Sequence, residues 1–559
     1  MKHFAPTHSL TTWFVLCAVV AVLVSPRHGC SAADASLVTS VQLCAPMSDA
    51  LVRSSVTGRL LPLLSSDNST LQCVLDALAA AGDKTAWRGG CVGTTGSAKY
   101  LQAVTVDSAS AARSRLPLAA LTPSSASDVA LALSAARTCA LRVSILSGGH
   151  SAAAYSLYPG GLTLDLRTHL GYVHLVSTAN VAVTDVVDDD DVAAELVVGA
   201  GARWADVYAE VLAHNSSLLP VGGGCPQVGV GGFVLGGGWS FLSRSYGLGG
   251  DNLLEASMVC ANGTVVRTNA SHRPDLFWAL RGGGGGNFGV VTEMRLRLRR
   301  ALSRDQLALV GELCWEPFGE QVLDLWRWWL GQYAHMPDYL DLDPVWLPIG
   351  PQNERRFCFT VVCNQDQELC APRVAHLVDH FAPLSNTLSR QPFVSWQVTN
   401  VNVTDAQAGF LYLTSGTLLP GALTLRLAGE LQLLLRLSPS PHNLVLFHVG
   451  GGAIANLRPN DTAFPHRDVQ AVIQVKAIWQ REEEAAANIA WVDRVRSFLL
   501  PHLSGSYVNY IDPAFPDWEH AYYGENYVRL QQIKRAYDPD AFFNFSQAIQ
   551  LPSDPSLVR

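Results

Sequence analysis

Charged residues are scarce in this 559-residue chain: they make up 15% of it, against about 25% in an average soluble protein. Lys and Arg number 39 against 47 Asp and Glu, so the net charge is −8 and the basic excess typical of nucleic-acid-binding proteins is missing. No collagen or coiled-coil period is present, and no second long apolar run follows the one near the N-terminus. The composition, with 48% hydrophobic residues, and the net negative charge therefore predict a folded protein with a large core and no nucleic-acid partner.

Several catalytic signatures are also missing. The sequence contains no H-E-x-x-H, no Walker A loop, no C-x-x-C and no G-x-S-x-G. The sequence therefore gives no local support for a zincin, a P-loop NTPase or an α/β-hydrolase. We interpret the acidic run Asp188–Asp191 as a solvated hairpin tip rather than a metal cage, and we predict no metal site.

The N-terminus has the layout of a secretory signal peptide. Lys2 and His3 precede the apolar run Leu10–Val24, and the small residues Ser31–Ala33 follow it. The alternative is a membrane anchor, but a run of about fifteen residues is shorter than the ~20 needed to span a bilayer. We predict a signal peptide over residues 1–33 and a secreted protein that does not contact the membrane after its removal.

Export permits disulfides and glycosylation, and the sequence offers sites for both. Ten cysteines lie beyond the signal and its cleavage zone. Asn-x-Ser/Thr triplets occur at Asn68, Asn215, Asn262, Asn269, Asn402, Asn460 and Asn544. Each triplet is common by chance, but together with the signal they favour a glycoprotein.

Periodicity and turn residues predict a first half with short strands, glycine turns and a few helices, then longer strands and amphipathic helices from about Arg299. Helices are predicted at Leu71–Ala81, Ser127–Ala140 (starting at Ser127 or Asp128), Trp204–His214 and Asn526–Tyr537. Strands are predicted at Leu141–Leu146, Leu162–Leu166, Leu196–Val198 and Met258–Cys260. The pattern favours a glycine-rich domain, an inserted second domain and a C-terminal return to the first.

Three glycine clusters are the main candidates for a ligand site: Ser147–Ser151, Val221–Gly238 and Gly282–Gly289. Glycines let backbone N–H groups approach phosphate oxygens, which favours a diphosphate cofactor, although plain tight turns remain an alternative for any single cluster. His150 and Cys225 are the reactive side chains inside these loops. Either residue alone has a structural alternative, as a satisfied histidine or as half of a disulfide.

The third cluster matches the spelling of a dinucleotide-binding motif but not its context. Gly284, Gly286 and Gly289 fit G-x-G-x-x-G, which in a Rossmann fold follows a strand and opens a helix. Here a predicted helix, Pro274–Arg281, precedes the cluster and an alternating, strand-like segment, Val290–Leu298, follows it. We therefore reject a Rossmann fold.

Several segments, in a consistent order, carry a resemblance to a known family. They are Ser147–Ser151 (SGGHS), Gly224–Gly238 (GCPQVGVGGFVLGGG), Trp278–Thr292 (WALRGGGGGNFGVVT), Phe464–Arg467 (FPHR), Tyr507–Tyr510 (YVNY) and Tyr537–Ile549 (YDPDAFFNFSQAI). From about Thr122 to Leu551 the chain resembles the berberine bridge enzyme-like family of flavin oxidases.

The resemblance implies an α+β fold: a two-lobed FAD-binding domain of vanillyl-alcohol-oxidase type with an inserted α+β substrate domain. On this basis we divide the chain into five parts. They are the signal peptide (1–33), an N-terminal extension with the first helix (34–115), the FAD-binding domain (116–298), the substrate-binding domain (299–500) and a C-terminal segment returning to the FAD domain (501–559).

The resemblance also implies FAD held by two covalent bonds, from His150 to the flavin 8α carbon and from Cys225 to C6. Such tethers would prevent cofactor loss outside the cell and tune the flavin. The other implied cofactor-binding residues are Ser147, Gly148, Gly149, Ser151, Gly224, Val228, Gly229, Gly231, Gly232, Gly284, Gly286 and Asn509. Val228 also resembles the small residue that admits oxygen in the oxidases.

The family further implies disulfide pairing. Cys73 with Cys139 resembles its N-terminal bridge, and Cys363 with Cys370 is a candidate for closing a loop.

For catalysis, the resemblance points to Tyr510 as the base, with Tyr507 as a helper and Gln474 on the substrate side. An ordinary tyrosine has a pKa near 10, so a base role requires a stabilised tyrosinate. The alternative for Tyr510 is a buried aromatic ring with a satisfied hydroxyl.

The chain also departs from the plant members of the family. Ala152 and Ala153 stand where many plant members have an aromatic residue, Phe233 replaces a common histidine, and no acidic base is evident near Gln474. These departures weaken an assignment as an alkaloid-cyclising enzyme.

We therefore expect a secreted, monomeric oxidase that converts an alcohol, a sugar lactol or an aromatic alcohol into a carbonyl or lactone, with a small-molecule substrate and O2 as partners and H2O2 as product. The alternatives are a flavin dehydrogenase of the same fold with another electron acceptor, and a non-catalytic secreted glycoprotein.

Overall fold

The computed structural model describes residues 68–80, 92–94, 97–104, 106, 114–177, 192–214, 217–349, 354–400 and 410–553. The signal segment 1–33, the acidic run Asp188–Asp191 and the triplets at Asn215 and Asn402 lie outside the described residues.

A small parallel sheet begins the glycine-rich half. Its strands β1 (Ala119–Leu121), β2 (Val143–Leu146) and β3 (Leu162–Asp165) are ordered β1-β3-β2. The helices Asn68–Ala79 and Ala126–Thr138 pack together beside it. The second helix is capped by Ser125, whose hydroxyl accepts a hydrogen bond from the Asp128 amide. Its predicted start at Ser127 or Asp128 was therefore wrong by one or two residues.

A six-stranded antiparallel sheet forms the second lobe. Its strands are β4 (Val173–Ser177), β5 (Val192–Gly199), β6 (Leu218–Pro220), β7 (Leu253–Val259), β8 (Val265–Asn269) and β9 (Val290–Arg300). They are ordered β4-β5-β9-β7-β8, with β6 also paired to β9. The helix Trp204–His214 has the predicted bounds, and it buries Trp204, Val207, Tyr208 and Val211.

An eight-stranded sheet forms the inserted part. Its strands are β10 (Ala308–Trp315), β11 (Leu340–Ile349), β12 (Glu354–Cys363), β13 (Ser385–Asn386), β14 (Ser389–Gln391), β15 (Phe410–Leu418), β16 (Leu444–Val449) and β17 (Ala471–Trp479). The order is β13-β10-β12-β11-β16-β17-β15, with β14 also paired to β10.

The two faces of this large sheet have different roles. The helices Glu320–Tyr333, Gln367–Asp379, Leu425–Arg436 and Ala485–Leu499 contribute with it to one hydrophobic core. Along β11, Leu342 and Trp346 belong to that core, whereas Asp343, Val345 and Leu347 face a deep cavity. Because side chains alternate along a strand, one sheet supplies both a core and a cavity wall.

The remaining helices are shorter or join these units. They are Ala98–Val104, Val230–Leu235, Ser243–Tyr246, Pro274–Ala279, Phe393–Asn400, Trp518–Tyr523 and Tyr527–Tyr537. Short 3₁₀ helices lie at Gly249–Asn252, Gly452–Asn456, Glu482–Glu484, Leu500–His502, Val508–Tyr510 and Gly524–Asn526. Across the described ranges, no helix combines the length and apolar character that a membrane span requires.

The third glycine cluster lies between helix Pro274–Ala279 and strand β9. This is the reverse of the strand-to-helix order that a Rossmann fold requires, so the rejection of that fold is confirmed.

Three disulfides lie within the described residues. Cys73–Cys139 is the pair that the family resemblance suggested, and Cys363–Cys370 is the candidate pair for closing a loop; both are confirmed. The third, Cys314–Cys358, joins register partners on β10 and β12 and was not predicted. Cys225 and Cys260 carry thiols.

The C-terminal segment returns to the glycine-rich half, and a buried lysine is central to this contact. The Lys534 ammonium, which is fully buried, donates to the Asn287 and Phe543 carbonyls and to Asp538. Asn287 in turn donates through its amide to the Gly283 carbonyl. The third glycine cluster is thereby joined to helix Tyr527–Tyr537 and the residues after it.

Candidate active site

One cavity of about 470 Å³ lies between the glycine loops and the open face of the large sheet. Every site residue predicted from the sequence lines it. These are Ser147, Gly148, Gly149, His150, Ser151, Gly224, Cys225, Val228, Gly229, Gly231, Gly232, Gly284, Gly286, Gln474, Tyr507, Asn509 and Tyr510. The structure thus brings together residues that are up to 363 positions apart in the chain (147 to 510).

The loops of His150 and Cys225 meet backbone to backbone. A Cβ added at Gly148 would lie 2.1 Å from the Gly229 nitrogen, and one at Gly229 would lie 2.2 Å from the Gly148 nitrogen. The Ser147 hydroxyl donates to the Ala200 carbonyl at 2.6 Å and so holds the first loop against the second lobe. Gly148 and Gly229 therefore have a packing reason to be glycine, separate from any contact with a phosphate.

Other glycines leave the cavity wall open. At Gly232 a Cβ would meet nothing within 4 Å, and at Gly286 only the Phe545 ring at 3.8 Å. Gly286, like Gly149 and Gly284, also has a positive φ, which residues with a side chain rarely adopt. Glycine at these positions leaves a cradle of exposed backbone.

The cavity wall also contains a polar group that a ligand could satisfy. The indole N–H of Trp239, which lines the cavity, has no hydrogen-bond partner within the described part of the chain. Together with the open glycine wall, this donor fits a large polar cofactor such as FAD.

Tyr507 acts as an anchor in this structure. Its hydroxyl oxygen accepts hydrogen bonds from the Gly238 amide, the Trp239 amide and the Asn509 side chain, at 3.0, 3.0 and 2.9 Å. Burial raises the pKa of Tyr507 to about 12, although these donors oppose the shift. The Asn509 amide also donates to the Phe233 carbonyl at 2.9 Å, so both residues fix the loop of the second glycine cluster.

Tyr510, three positions further on, has a different environment. Its hydroxyl lies 2.7 Å from Nε2 of His448 on β16. Nδ1 of His448 lies 2.9 Å from one carboxylate oxygen of Asp343 on β11, and the other oxygen accepts from the Val449 amide at 2.8 Å. The His448 and Asp343 side chains are only 16% and 6% exposed, so the chain Tyr510–His448–Asp343 is largely shielded from solvent.

Two further carboxyl groups lie on the strands that build this wall. Asp341 precedes Asp343 by two positions on β11, and burial together with the Asp343 charge holds the pKa of Asp341 well above its usual range. Glu312 on β10 lines the cavity, and burial raises its pKa as well.

The rest of the wall combines polar and aromatic side chains. Gln474 lies on β17, opposite Leu446 of β16, and Lys476 follows it on the same face. Phe241 and Trp396 form an edge-to-face pair with ring centroids 5.7 Å apart.

Sequence reasoning missed His448 and Asp343. Both lie inside mostly apolar strands, in the segments Leu444–Val449 (LVLFHV) and Leu340–Trp346 (LDLDPVW), the second of which also contains Asp341. The available signal was a polar side chain at alternating positions of a predicted strand, because such residues must face something polar. Their proximity to Tyr510 has no local sequence signal.

Comparison with known proteins shows which family has this architecture. The family described as "FAD binding domain" matches residues 117–269, and "Berberine and berberine like" matches residues 506–550. The FAD-linked oxidoreductase YvdP of Bacillus subtilis is 30% identical over 362 residues, which cover 60% of this chain and 74% of that protein. Reticuline oxidase of Eschscholzia californica is 24% identical over 473 residues, which cover 78% of this chain and 83% of that protein.

A solved structure agrees with the fold. The BBE-like 1 protein of Physcomitrella patens matches with a TM-score of 0.72 at 24% identity, covering 87% of this chain and 100% of that one. The chain therefore belongs to the berberine bridge enzyme-like family and is an FAD-linked oxidoreductase. The two-lobed α+β FAD-binding fold with an inserted substrate domain is confirmed. The five domain boundaries and the roles of individual site residues stay predictions.

Proposed function

We propose that the protein is a secreted oxidase with a doubly tethered FAD, which oxidises a small alcohol or sugar lactol and passes the electrons to O2 as H2O2. The observation that carries this proposal is the position of Tyr510. Its hydroxyl borders the same cavity as the His150 and Cys225 loops, and it has a hydrogen-bonded imidazole behind it at 2.7 Å. A base next to the cofactor cavity is what the oxidation of an alcohol requires.

The chemistry divides between cofactor and protein. FAD supplies the acceptor for the hydride that leaves the carbinol carbon. The residues of the chain bind and orient the substrate hydroxyl, and Tyr510 is the side chain proposed to receive its proton. Hydride loss and proton loss together convert the alcohol to a carbonyl.

Two observations support the covalent tethers. His150 and Cys225 line one cavity from separate loops that touch through Gly148 and Gly229, and Cys225 carries a thiol. A flavin attached at two positions requires an imidazole and a thiol that face the same cavity.

Three disulfides in the described residues support secretion, since such bonds persist in oxidising compartments. Among the glycosylation triplets, Asn262 lies in the turn between β7 and β8, a position accessible to modification. Asn544, by contrast, lines the cofactor cavity and is a poor acceptor.

The cavity wall supports a hydroxylated ring as substrate. Phe241 and Trp396 offer apolar surfaces, whereas Glu312, Gln474 and Lys476 offer hydrogen-bonding groups along the opposite sheet. A ring with both C–H faces and hydroxyl groups would use both kinds of contact.

Stopped-flow reduction of the flavin by a panel of sugars and aromatic alcohols tests the proposal. Tyr510→Phe should retain its flavin but lose flavin reduction by about 10²–10⁴-fold, because the base is missing. The matched control is Tyr537→Phe, which lies outside the cavity lining and should reduce at the wild-type rate.

Peroxide yield then separates the oxidase from its alternative. The proposal predicts close to one H2O2 per substrate in air. Rapid flavin reduction with almost no peroxide and efficient dye reduction would instead support a dehydrogenase. Failure of every alcohol to reduce the wild-type flavin would overturn the proposed reaction.

A further inference from the structure

We propose that His448, oriented by Asp343, accepts the hydroxyl proton of Tyr510 while Tyr510 takes the proton of the substrate. Tyr510 therefore relays a proton and does not need to be ionised beforehand. The inference deepens the proposed function and rests on it. It is carried by the continuous contact from the Tyr510 hydroxyl through His448 to the Asp343 carboxylate, at 2.7 and 2.9 Å.

The hydrogen bonds that link Tyr510, His448 and Asp343 determine which ring nitrogen of His448 carries the proton. A carboxylate only accepts hydrogen bonds, so Nδ1 of His448 must carry the proton that faces Asp343. Nε2 then presents a lone pair to Tyr510, whose hydroxyl donates to it. The second Asp343 oxygen is held by the Val449 amide, which fixes the carboxylate against rotation.

This arrangement allows an ordinary tyrosine to work near neutral pH. With FAD bound, the cofactor would accept the hydride released when the carbinol C–H bond breaks, and the substrate O–H proton would move to the Tyr510 oxygen. The Tyr510 proton moves at the same time to Nε2 of His448. The substrate carbon would thus be oxidised by two electrons that bound FAD would accept, and the proton would remain on an imidazolium that the Asp343 charge stabilises.

Surrounding groups set the electrostatics of this relay. Phe241 packs edge-on against His448 with ring centroids 6.4 Å apart, and it excludes water from that side. The titratable groups in direct contact with the imidazole are Asp343 and Tyr510. Asp341 on β11 interacts electrostatically with Asp343 and with Arg244, which binds the Gly450 carbonyl. Glu312 on β10 and Lys476 on β17 line the same cavity at other positions of the sheet.

Three variants separate a relay from a structural contact. His448→Gln keeps a hydrogen-bond acceptor for Tyr510 but cannot take a proton, and flavin reduction should fall by about 10²–10⁴-fold. Asp343→Asn would donate to Nδ1 and impose the wrong tautomer, with a loss of similar order. Asp338→Asn is the matched control, because this exposed carboxylate lies just before β11 and outside the cavity lining, and it should stay within about twofold of wild type.

The pH profile gives a readout that a structural role would not move. Wild-type flavin reduction should decline toward acid pH, where the imidazole is already protonated before the substrate arrives. His448→Gln should lose this acid limb and instead gain rate toward alkaline pH, where Tyr510 ionises by itself. His448→Ala should recover activity with added imidazole.

A second readout does not depend on turnover. Tyrosinate absorbance, taken as the difference between each protein and its Tyr510→Phe counterpart, reports ionisation of Tyr510 directly. His448→Gln should shift that ionisation, whereas Asp338→Asn should not. If His448→Gln keeps both the wild-type acid limb and the tyrosinate titration while Tyr510→Phe is inactive, the relay is wrong and the proposed function stands. If the wild-type flavin is not reduced at all, the proposed function itself fails.

Discussion

At the scale of single residues, the same amino acid serves different purposes in one site. Gly148 and Gly229 allow two loops to touch, whereas Gly232 and Gly286 leave a wall open toward the cavity. The two tyrosines of the YVNY segment differ in the same way: Tyr507 accepts three hydrogen bonds and anchors a loop, while Tyr510 contacts an imidazole. A motif therefore gives the residue type, and the environment determines its role.

The contact between Gly148 and Gly229 makes a direct prediction. Gly148→Ala should lower the free energy of unfolding by about 1–3 kcal/mol and reduce flavin content, because its Cβ would overlap the Gly229 backbone at 2.1 Å. Chemical denaturation and the flavin-to-protein absorbance ratio measure the two effects.

Gly331→Ala is the matched control for that variant. It lies in helix Glu320–Tyr333, where a Cβ meets nothing within 4 Å. It should stabilise the protein by up to about 1 kcal/mol. A Gly148→Ala protein with wild-type stability and flavin content would contradict the packing described for the two loops.

At the scale of helices and strands, local sequence patterns predicted well that a helix or strand is present, and less well where it begins and ends. The helix Trp204–His214 was predicted with its observed bounds, because its apolar residues repeat at helical spacing. Strand β5 extends over Val192–Gly199, although only Leu196–Val198 was predicted. Its neighbour β9 pairs with it from Val192 to Gly199 and β4 from Ala194 to Val198, and such tertiary pairing leaves little trace in the local sequence.

The large sheet shows why the site was only partly predictable. The glycine loops and the YVNY segment have recognisable local patterns, so the sequence singled out His150, Cys225 and Tyr510, which line one cavity in the structure. His448 meets Asp343 because β16 pairs with β11, two strands that are far apart in the sequence. That pairing depends on the order of the whole sheet, which no local pattern specifies.

The C-terminal helix makes a prediction at this scale. Lys534→Met should destabilise the protein by about 3–5 kcal/mol, because it leaves Asp538 buried without its cationic partner. Flavin content should fall as well, since Asn287 would lose its bond to Lys534 beside the third glycine cluster. Thermal denaturation and flavin absorbance measure both effects.

The double variant Lys534→Met, Asp538→Asn controls for the lost charge pair. It should recover part of the stability, because no buried charge remains uncompensated. Equal stability of Lys534→Met and wild type would show that the buried ammonium does not hold the C-terminal segment in place.

At the scale of the whole molecule, the cavity exists only because three distant parts of the chain converge. The first lobe contributes the His150 loop, the second contributes the Cys225 loop, and the large sheet with the C-terminal segment contributes His448 and Tyr510. Disulfides Cys73–Cys139 and Cys314–Cys358 join elements within these parts. The glycine loops, the large sheet and the C-terminal segment therefore face one cavity.

The proposed double tether joins a single flavin to both His150 and Cys225. It is tested most directly by mass spectrometry of peptides from the protease-digested native protein. We expect one flavin-bearing species that joins the His150 peptide to the Cys225 peptide, and a single remaining link in either His150→Ala or Cys225→Ala. Release of all the flavin on acid precipitation, with both peptides recovered unmodified, would contradict it.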